Sequence, residues 1–291
     1  MSIRISQTAA FVAVKLYGLT LREPFKSQFP EEIRGFYGAI TRQLPKHLSW
    51  YHTSLDKESW RKFFIWSEEL LLPGDLMHIT SRKYYMTQLL DKAISEGYEQ
   101  VVILGSGFDH LGYYAAKRGL HVLEMDMINM IHLKKEYLKQ AGLKLPNLHF
   151  ESIDVQKESL VQVIANRQLI DQSKPTVFIT EGFFDYLSYE TTEDVLREIK
   201  ELAPKSKLLT TFFSLDELNA FHRFMFTSGV SLVGERLKLP LNKDEFIELL
   251  GEQGFTIEQT ITYSDMEEEF VQPMGVGLPV LSGFYVMKAV S

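Results

Sequence analysis

The sequence predicts an α/β protein: a doubly wound, mostly parallel sheet with an N-terminal helical cap and an antiparallel C-terminal edge. Three observations lead there. Apolar runs such as Val101-Val102-Ile103-Leu104 show no polar alternation, as in strands buried on both faces. From Glu99 onward strand-like and helix-like segments alternate, the pattern of parallel strands joined by helical crossovers. Residues before that carry helical periodicity and no clear strand.

In the cap, Gln7 to Leu19, Glu31 to Ile40 and Lys57 to Leu71 read as helices, with turn chemistry at Arg22-Glu23-Pro24 and a stop at Pro73-Gly74. Trp50, Trp60 and Trp66 all fall here, either as a small aromatic core or as a wall of a substrate pocket. Thr80 to Glu96 follows, with Tyr85, Leu89 and Ala93 at four-residue spacing beside Met86, Leu90 and Ile94. That reading puts Arg82 and Lys83 in a first helical turn, where a cation opposes the macrodipole and needs an anionic partner. A ligand carboxylate and an ordinary Asp or Glu both remain open.

Strands are expected at Gln100–Leu104, Leu120–Met125, Leu148–Ile153, Thr176–Thr180 and Leu208–Phe213, with helices near 109–118, 128–141, 156–169 and 190–202. Leu215 to Phe226 reads as a further helix, and Asn242 as the cap of a short one, Lys243 to Leu250. Phe255 to Tyr263 and Gly283 to Val290 complete seven strands as an antiparallel edge, with no helical pattern between them. There Met266-Glu267-Glu268-Glu269 reads as a solvated face and Gly275 to Pro279 as a loose loop. The predicted division is a cap over 1–98 and a core over 99–291, with an insertion near 215–241.

In such sheets ligands lie beyond the carboxyl ends of the strands. Those ends carry Gly105-Ser106-Gly107-Phe108-Asp109, Glu124 with Asp126, Asp154, and Glu181 with Gly182. A Gly-Ser-Gly turn lets the backbone approach a ligand, and the helix after it turns its N–H groups toward the same place. Asp126 follows Gly107 by 19 residues, the spacing of a carboxylate that accepts from ribose hydroxyls. A dinucleotide fingerprint needs a third glycine where this chain has His110. An adenosine cofactor without pyrophosphate, S-adenosylmethionine, fits better.

Composition narrows the partners. With no cysteine there is neither a disulfide nor a thiolate nucleophile nor a cysteine metal site. A formal charge of −7 argues against a nucleic-acid partner. Apolar runs fall short of the roughly 18 residues of a membrane span. Met1-Ser2-Ile3-Arg4 is followed by no apolar stretch of a signal peptide, so a cytoplasmic location is expected.

Taken in order, these residues resemble the leucine carboxyl methyltransferase family of S-adenosylmethionine-dependent enzymes, with its bacterial O-methyltransferase branch. The matching pieces are the Arg82 helix, Val102 to Asp109, Leu123-Glu124-Met125-Asp126, Ile153-Asp154-Val155, Pro175 to Gly182 with Tyr186-Leu187, and Gly234-Glu235. The resemblance implies the class I methyltransferase sheet, S-adenosylmethionine as cofactor, and a small molecule or a protein C-terminus as methyl acceptor, through a carboxylate or a hydroxyl. It assigns Arg82 to the methionine carboxylate, with Lys15 as a second contact. The turn Gly105, Ser106, Gly107 and Asp109 falls under the cofactor. Asp126 goes to the ribose with Glu124 behind it, Asp154 and Val155 to the adenine edge, and Glu181 to the ammonium and sulfonium. Where the family continues its glycine turn with Thr and Arg after the Asp, this chain has His110 and Leu111. A hydroxyl acceptor would need a base, a role open to His110 or His78, but a lone histidine is more often structural or at the surface, and no catalytic base is assigned. A nicotinamide oxidoreductase and a non-catalytic cofactor-binding protein are the alternatives.

Overall fold

The computed structural model describes residues 6–45, 55, 57–232 and 236–291, without the side chains of 230–232. Met1 to Arg4, Trp50 and Gly234-Glu235 lie outside the described residues. The helices before the sheet are α1 (Gln7–Thr20), α2 (Phe25–Gln28), α3 (Glu31–Gln43), α4 (Glu58–Leu71) and α5 (Asp75–Ser95). Then follow β1 (Gln100–Leu104), α6 (Leu111–Lys117), β2 (His121–Asp126), α7 (Ile128–Gln140), β3 (Leu148–Ser152), α8 (Leu160–Asn166), β4 (Thr176–Thr180) and α9 (Tyr189–Leu202). The last elements are β5 (Ser206–Phe213), α10 (Ala220–Leu232), α11 (Lys243–Glu252), β6 (Thr256–Ile261) and β7 (Phe284–Val290).

The seven strands are ordered β3-β2-β1-β4-β5-β7-β6, parallel except for β7, which runs antiparallel to both neighbours. Strand order therefore reverses between β1 and β4, and a crevice opens at their carboxyl ends. Side chains alternate across the sheet as the strand period of two requires. Val101, Ile103, Val122, Val177 and Ile179 pack on one face with the cap and α5. Val102, Leu104, Leu123, Met125 and Phe178 pack on the other with α8, α9 and α11. Both faces are covered, so the central strands need no polar alternation.

Three expectations are corrected. α5 begins at Asp75 rather than Thr80, so Arg82 and Lys83 lie well inside the helix and the macrodipole argument does not apply to them. The helix expected from Leu215 is a single 3₁₀ turn, Leu215–Glu217, and α10 starts only after Asn219, whose side chain accepts from the His222 N–H at 2.8 Å. Between β6 and β7 the chain is helical from Tyr263 to Met274, passing through a π turn. Thr262 and Asp265 cap its start reciprocally, and Met266 and Phe270 are buried one turn apart, Phe270 stacked on Tyr84 at 4.3 Å. Met266 is thus no part of a solvated face. The cap is cored by Phe25, Phe29, Phe36, Tyr37 and Phe64, whereas Trp60 and Trp66 lie exposed.

Candidate functional site

Gly105 and Gly107 have φ of +67° and +41°, and the N–H groups of Gly105 and Ser106 donate to the Met125 carbonyl at 2.9 and 3.2 Å. The turn is thereby pressed against the end of β2. Gly105 requires its lack of a side chain twice over. Its conformation is the left-handed one, and a Cβ would stand 2.7 Å from the Phe183 ring. Asp126 grips the same turn: its two carboxylate oxygens accept from the Gly107 N–H at 2.7 Å and the Met127 N–H at 2.6 Å.

Beneath the turn lies a fully buried ion pair, Glu124 with Lys134 at 2.6 Å. Lys134 also donates to the carbonyls of Ser106 (3.2 Å) and Asp109 (2.8 Å), so the pair holds the turn from below. Burial lifts the Glu124 carboxyl to about 7 against the pull of Lys134. Gly112 makes room for it, because a Cβ there would fall 1.9 Å from the Glu124 oxygen.

Across the crevice from the turn, α5 supplies two adjacent cations. Arg82 Nε donates to Glu181 Oε1 at 2.8 Å, and Lys83 Nζ lies 2.8 Å from the same oxygen and 3.0 Å from Asp109 Oδ2. Burial would raise the Asp109 carboxyl, but Lys83, His110 and Lys134 hold it well below the usual carboxylate range. The second oxygen of Glu181 and the hydroxyl of Thr180 are buried without a hydrogen-bond partner, while the Ser106 hydroxyl bonds the Glu124 carboxylate. These two groups sit at the end of β4, where the strand order switches beside β1.

His110 is wholly buried, its Nδ1 2.8 Å from the Tyr37 hydroxyl and its Nε2 3.0 Å from Thr87 Oγ1. It fastens the turn to α3 and α5, and with both nitrogens engaged it is not placed as a base. His78 stacks on Phe284 at 3.6 Å, and burial lowers its pKa to about 3. Lys15 pairs with Glu68 at 2.7 Å and with Asp75, so in this structure its partners are protein carboxylates. Asp154 forms the turn after β3, accepting from the Gln156 N–H at 3.2 Å and from Lys157 at 2.5 Å, with Val155 half-buried beside it. The Ile153 N–H donates to the Asp126 carbonyl at 3.0 Å, which brings that turn alongside the Asp126 end of β2.

Four residues of this site were not foreseen as functional: Lys83, Lys134, Tyr37 and Asp185. A signal existed for the lysines, since each falls in the apolar register of its helix. Lys83 leads Met86 and Leu90, and Lys134 lies between Met130 and Leu138. A lysine on a buried face needs a buried carboxylate, and the sequence offered candidates in Asp109, Glu124 and Glu181. Asp185 follows β4; its Oδ1 accepts from the Phe213 N–H at 3.1 Å, and burial raises it to about 7 against that bond and Arg82. Its carbonyl accepts from the Lys238 and Leu239 N–H groups at 2.8 and 3.4 Å. Among the described residues no cluster of three or more His, Asp or Glu side chains could hold a metal, and no helix is long and apolar enough to cross a membrane.

Comparison with known proteins is consistent with this architecture. The fold is that of a crystal structure of a provisionally assigned methyltransferase from Thermobifida fusca YX, with a TM-score of 0.60 at 16% identity over 92% of this chain and 98% of that one. A DUF574 family protein from Streptomyces avermitilis MA-4680 follows with a TM-score of 0.57 at 12% identity, over 81% and 92% of the two chains. In sequence, the chain is 30% identical over 132 residues to a protein of Mycolicibacterium paratuberculosis provisionally named an S-adenosyl-L-methionine-dependent methyltransferase, covering 45% of this chain and 42% of that one. A protein of the same name from Mycobacteroides abscessus is 27% identical over 157 residues, 53% of this chain and 50% of the relative, so the match spans half or less of each relative's length. The leucine carboxyl methyltransferase model matches residues 44–200, from the end of the cap's third helix through α5, the glycine turn and the Glu181 loop to α9. Since that is more than half of the 291 residues, the chain belongs to the leucine carboxyl methyltransferase family.

Proposed function

We propose that the protein is an S-adenosylmethionine-dependent O-methyltransferase that methylates a carboxylate or hydroxyl of a small molecule or of a protein C-terminus. The observation that carries this reading is the pair of unpartnered buried polar atoms on Glu181 and Thr180 beside the β1–β4 switch. Buried polar groups are nearly always paired, so an unpaired set at the ligand position of this fold fits a polar ligand that completes it. Arg82 would turn from Glu181 to the methionine carboxylate, which suits a guanidinium fork. Glu181 would take the ammonium, Asp126 the ribose hydroxyls, and the Asp154-Val155 turn the adenine edge. Gly105, Ser106, Gly107 and Asp109 would form the cradle, held from below by Glu124.

The bound cofactor supplies an activated methyl group on a positively charged sulfur. The protein's part is to align an acceptor oxygen with it and to exclude water. The residues before β1 act in this reading as a cap, and together with the region near 215–241 they wall the acceptor. The wholly buried His110, locked to Tyr37 and Thr87, stands where a dinucleotide turn would need close helix packing, which counts against nicotinamide chemistry.

Titration calorimetry with S-adenosylhomocysteine, NAD and NADP tests the cofactor. Binding of the first alone is expected, and binding of a nicotinamide cofactor alone would overturn the reading. Transfer of labelled methyl from S-adenosylmethionine to paired acids and alcohols then tests the enzyme.

A further inference from the structure

Lys83 is the charged residue of this site for which neither the glycine turn nor the ribose spacing gives a role. Its side chain is 4% exposed, yet it touches two carboxylates on different strand ends, Asp109 after β1 and Glu181 after β4. With Arg82 it makes a floor of two cations and two carboxylates whose formal charges cancel. A neutral floor has a consequence for charge selection. S-adenosylmethionine and S-adenosylhomocysteine differ by one methyl group and one positive charge on sulfur. A floor without Lys83 would carry a net negative charge and draw the sulfonium in, whereas the balanced floor gives it little advantage.

We propose that Lys83 is a specificity-determining residue that sets how strongly the site prefers the cationic cofactor over its neutral product. The proposal rests on the reading that these ligands bind at the β1–β4 crevice. Lys83 cancels the attraction that Asp109 and Glu181 would otherwise exert on the sulfonium. It does so from inside the protein, where a unit charge several ångströms away is weakly screened. The same placement adds one shared cation to two carboxylates, Glu181 being paired with Arg82 as well.

The test is the ratio of affinities for S-adenosylmethionine and S-adenosylhomocysteine, measured by titration calorimetry on folded protein. Lys83→Gln is expected to shift that ratio about tenfold toward S-adenosylmethionine. Lys83→Gln combined with Asp109→Asn removes one charge of each sign and is expected to restore the wild-type ratio within about threefold. Asp109→Asn alone leaves the floor with an excess cation and is expected to move the ratio the opposite way, which keeps the test open if Lys83→Gln does not fold. Two ligands that bind every folded variant in the wild-type ratio would overturn the role of Lys83 while leaving the cofactor reading intact. Wild-type protein that binds neither ligand would instead overturn the cofactor reading, and this proposal with it.

Discussion

On the side of the crevice built by β1, β2 and α5, each buried charge has an opposite charge against it: Glu124 with Lys134, Asp109 with Lys83, Glu181 with both Arg82 and Lys83. On the side built by β5 and β7 the material is aromatic. Phe284 stacks on His78 and on Phe213, and Phe226 packs against both phenylalanines, with ring centroids 3.6 to 5.9 Å apart. Asp185, a buried carboxyl there, pairs with no described cation at contact distance and takes a backbone N–H instead. Beyond it, α4 and α10 expose Trp60, Phe63, Trp66, Phe221 and Phe224. The difference teaches how each side discriminates. A network of fixed charges holds one polar ligand in one pose, while an apolar wall selects by shape and area and tolerates variation.

The largest expected effect lies on the charged side. Gly105→Val forces a β-branched residue into φ +67° and sets its side chain 2.7 Å from the Phe183 ring, so the turn or that ring must shift. Affinity for S-adenosylhomocysteine is expected to fall at least about a hundredfold, equivalent to roughly 3 kcal/mol. A folded variant with unchanged affinity by calorimetry would show that the turn is no part of the cradle.

Next in size is the effect of Asp185, a buried carboxyl on the aromatic side. Its folded pKa, about 7, lies above the ordinary 3.8, so the stability tied to its proton is complete below about pH 4 and is lost as pH rises through 7. Asp185→Asn keeps an oxygen for the Phe213 N–H and removes the ionisation. Between pH 5 and pH 8 the variant is expected to gain on wild type by on the order of 2 kcal/mol in urea unfolding. A pH-independent difference would mean that Asp185 is hydrated and ordinary, and the contrast between the two sides would weaken.

Arg82→Lys probes the charged side without breaking it. A point charge cannot reproduce a planar fork on a carboxylate. Affinity for S-adenosylhomocysteine is expected to drop about tenfold, or roughly 1.4 kcal/mol. 5′-Methylthioadenosine, which lacks the amino-acid part, should lose far less. Equal losses for the two ligands would return Arg82 to a purely structural pair with Glu181.

The sheet and its turn were legible because their signals are local. A β-branched run reports a strand buried on both faces, a Gly-Ser-Gly reports its turn, and Asp126 follows at a spacing set by one crossover helix. Arg82 and Glu181 were legible as charges and not as a pair, because 99 residues separate them and only the packing of α5 on the sheet brings them together. Lys83 and Lys134 were hidden by composition, since a lysine reads as surface until the register of its helix is checked. The π turn at Met266 escaped because its two buried side chains, Met266 and Phe270, sit among glutamates that mimic a solvated face. For His110 and His78 the structural reading, the commoner one for a lone histidine, is the one that agrees with their contacts.

The smallest expected effect is on the aromatic side, where it separates a working surface from a supporting one. Trp66 is 60% exposed and Phe63 51%, and their rings touch each other at 5.9 Å. A ring so placed contributes little burial to folding, and surface substitutions of this kind usually change stability by no more than about 0.5 kcal/mol. Trp66→Gln is therefore expected to leave the melting temperature within about two degrees and the affinity for S-adenosylhomocysteine within twofold. If α4 walls the acceptor, the same variant raises the KM of an acceptor that is turned over while kcat with saturating acceptor stays near wild type, the pattern of lost uniform binding. A melting temperature lowered by more than about five degrees would instead make the exposed aromatics part of the fold's support. The proposed division into a charged side for the cofactor and an apolar side free to vary would then have to be redrawn at α4.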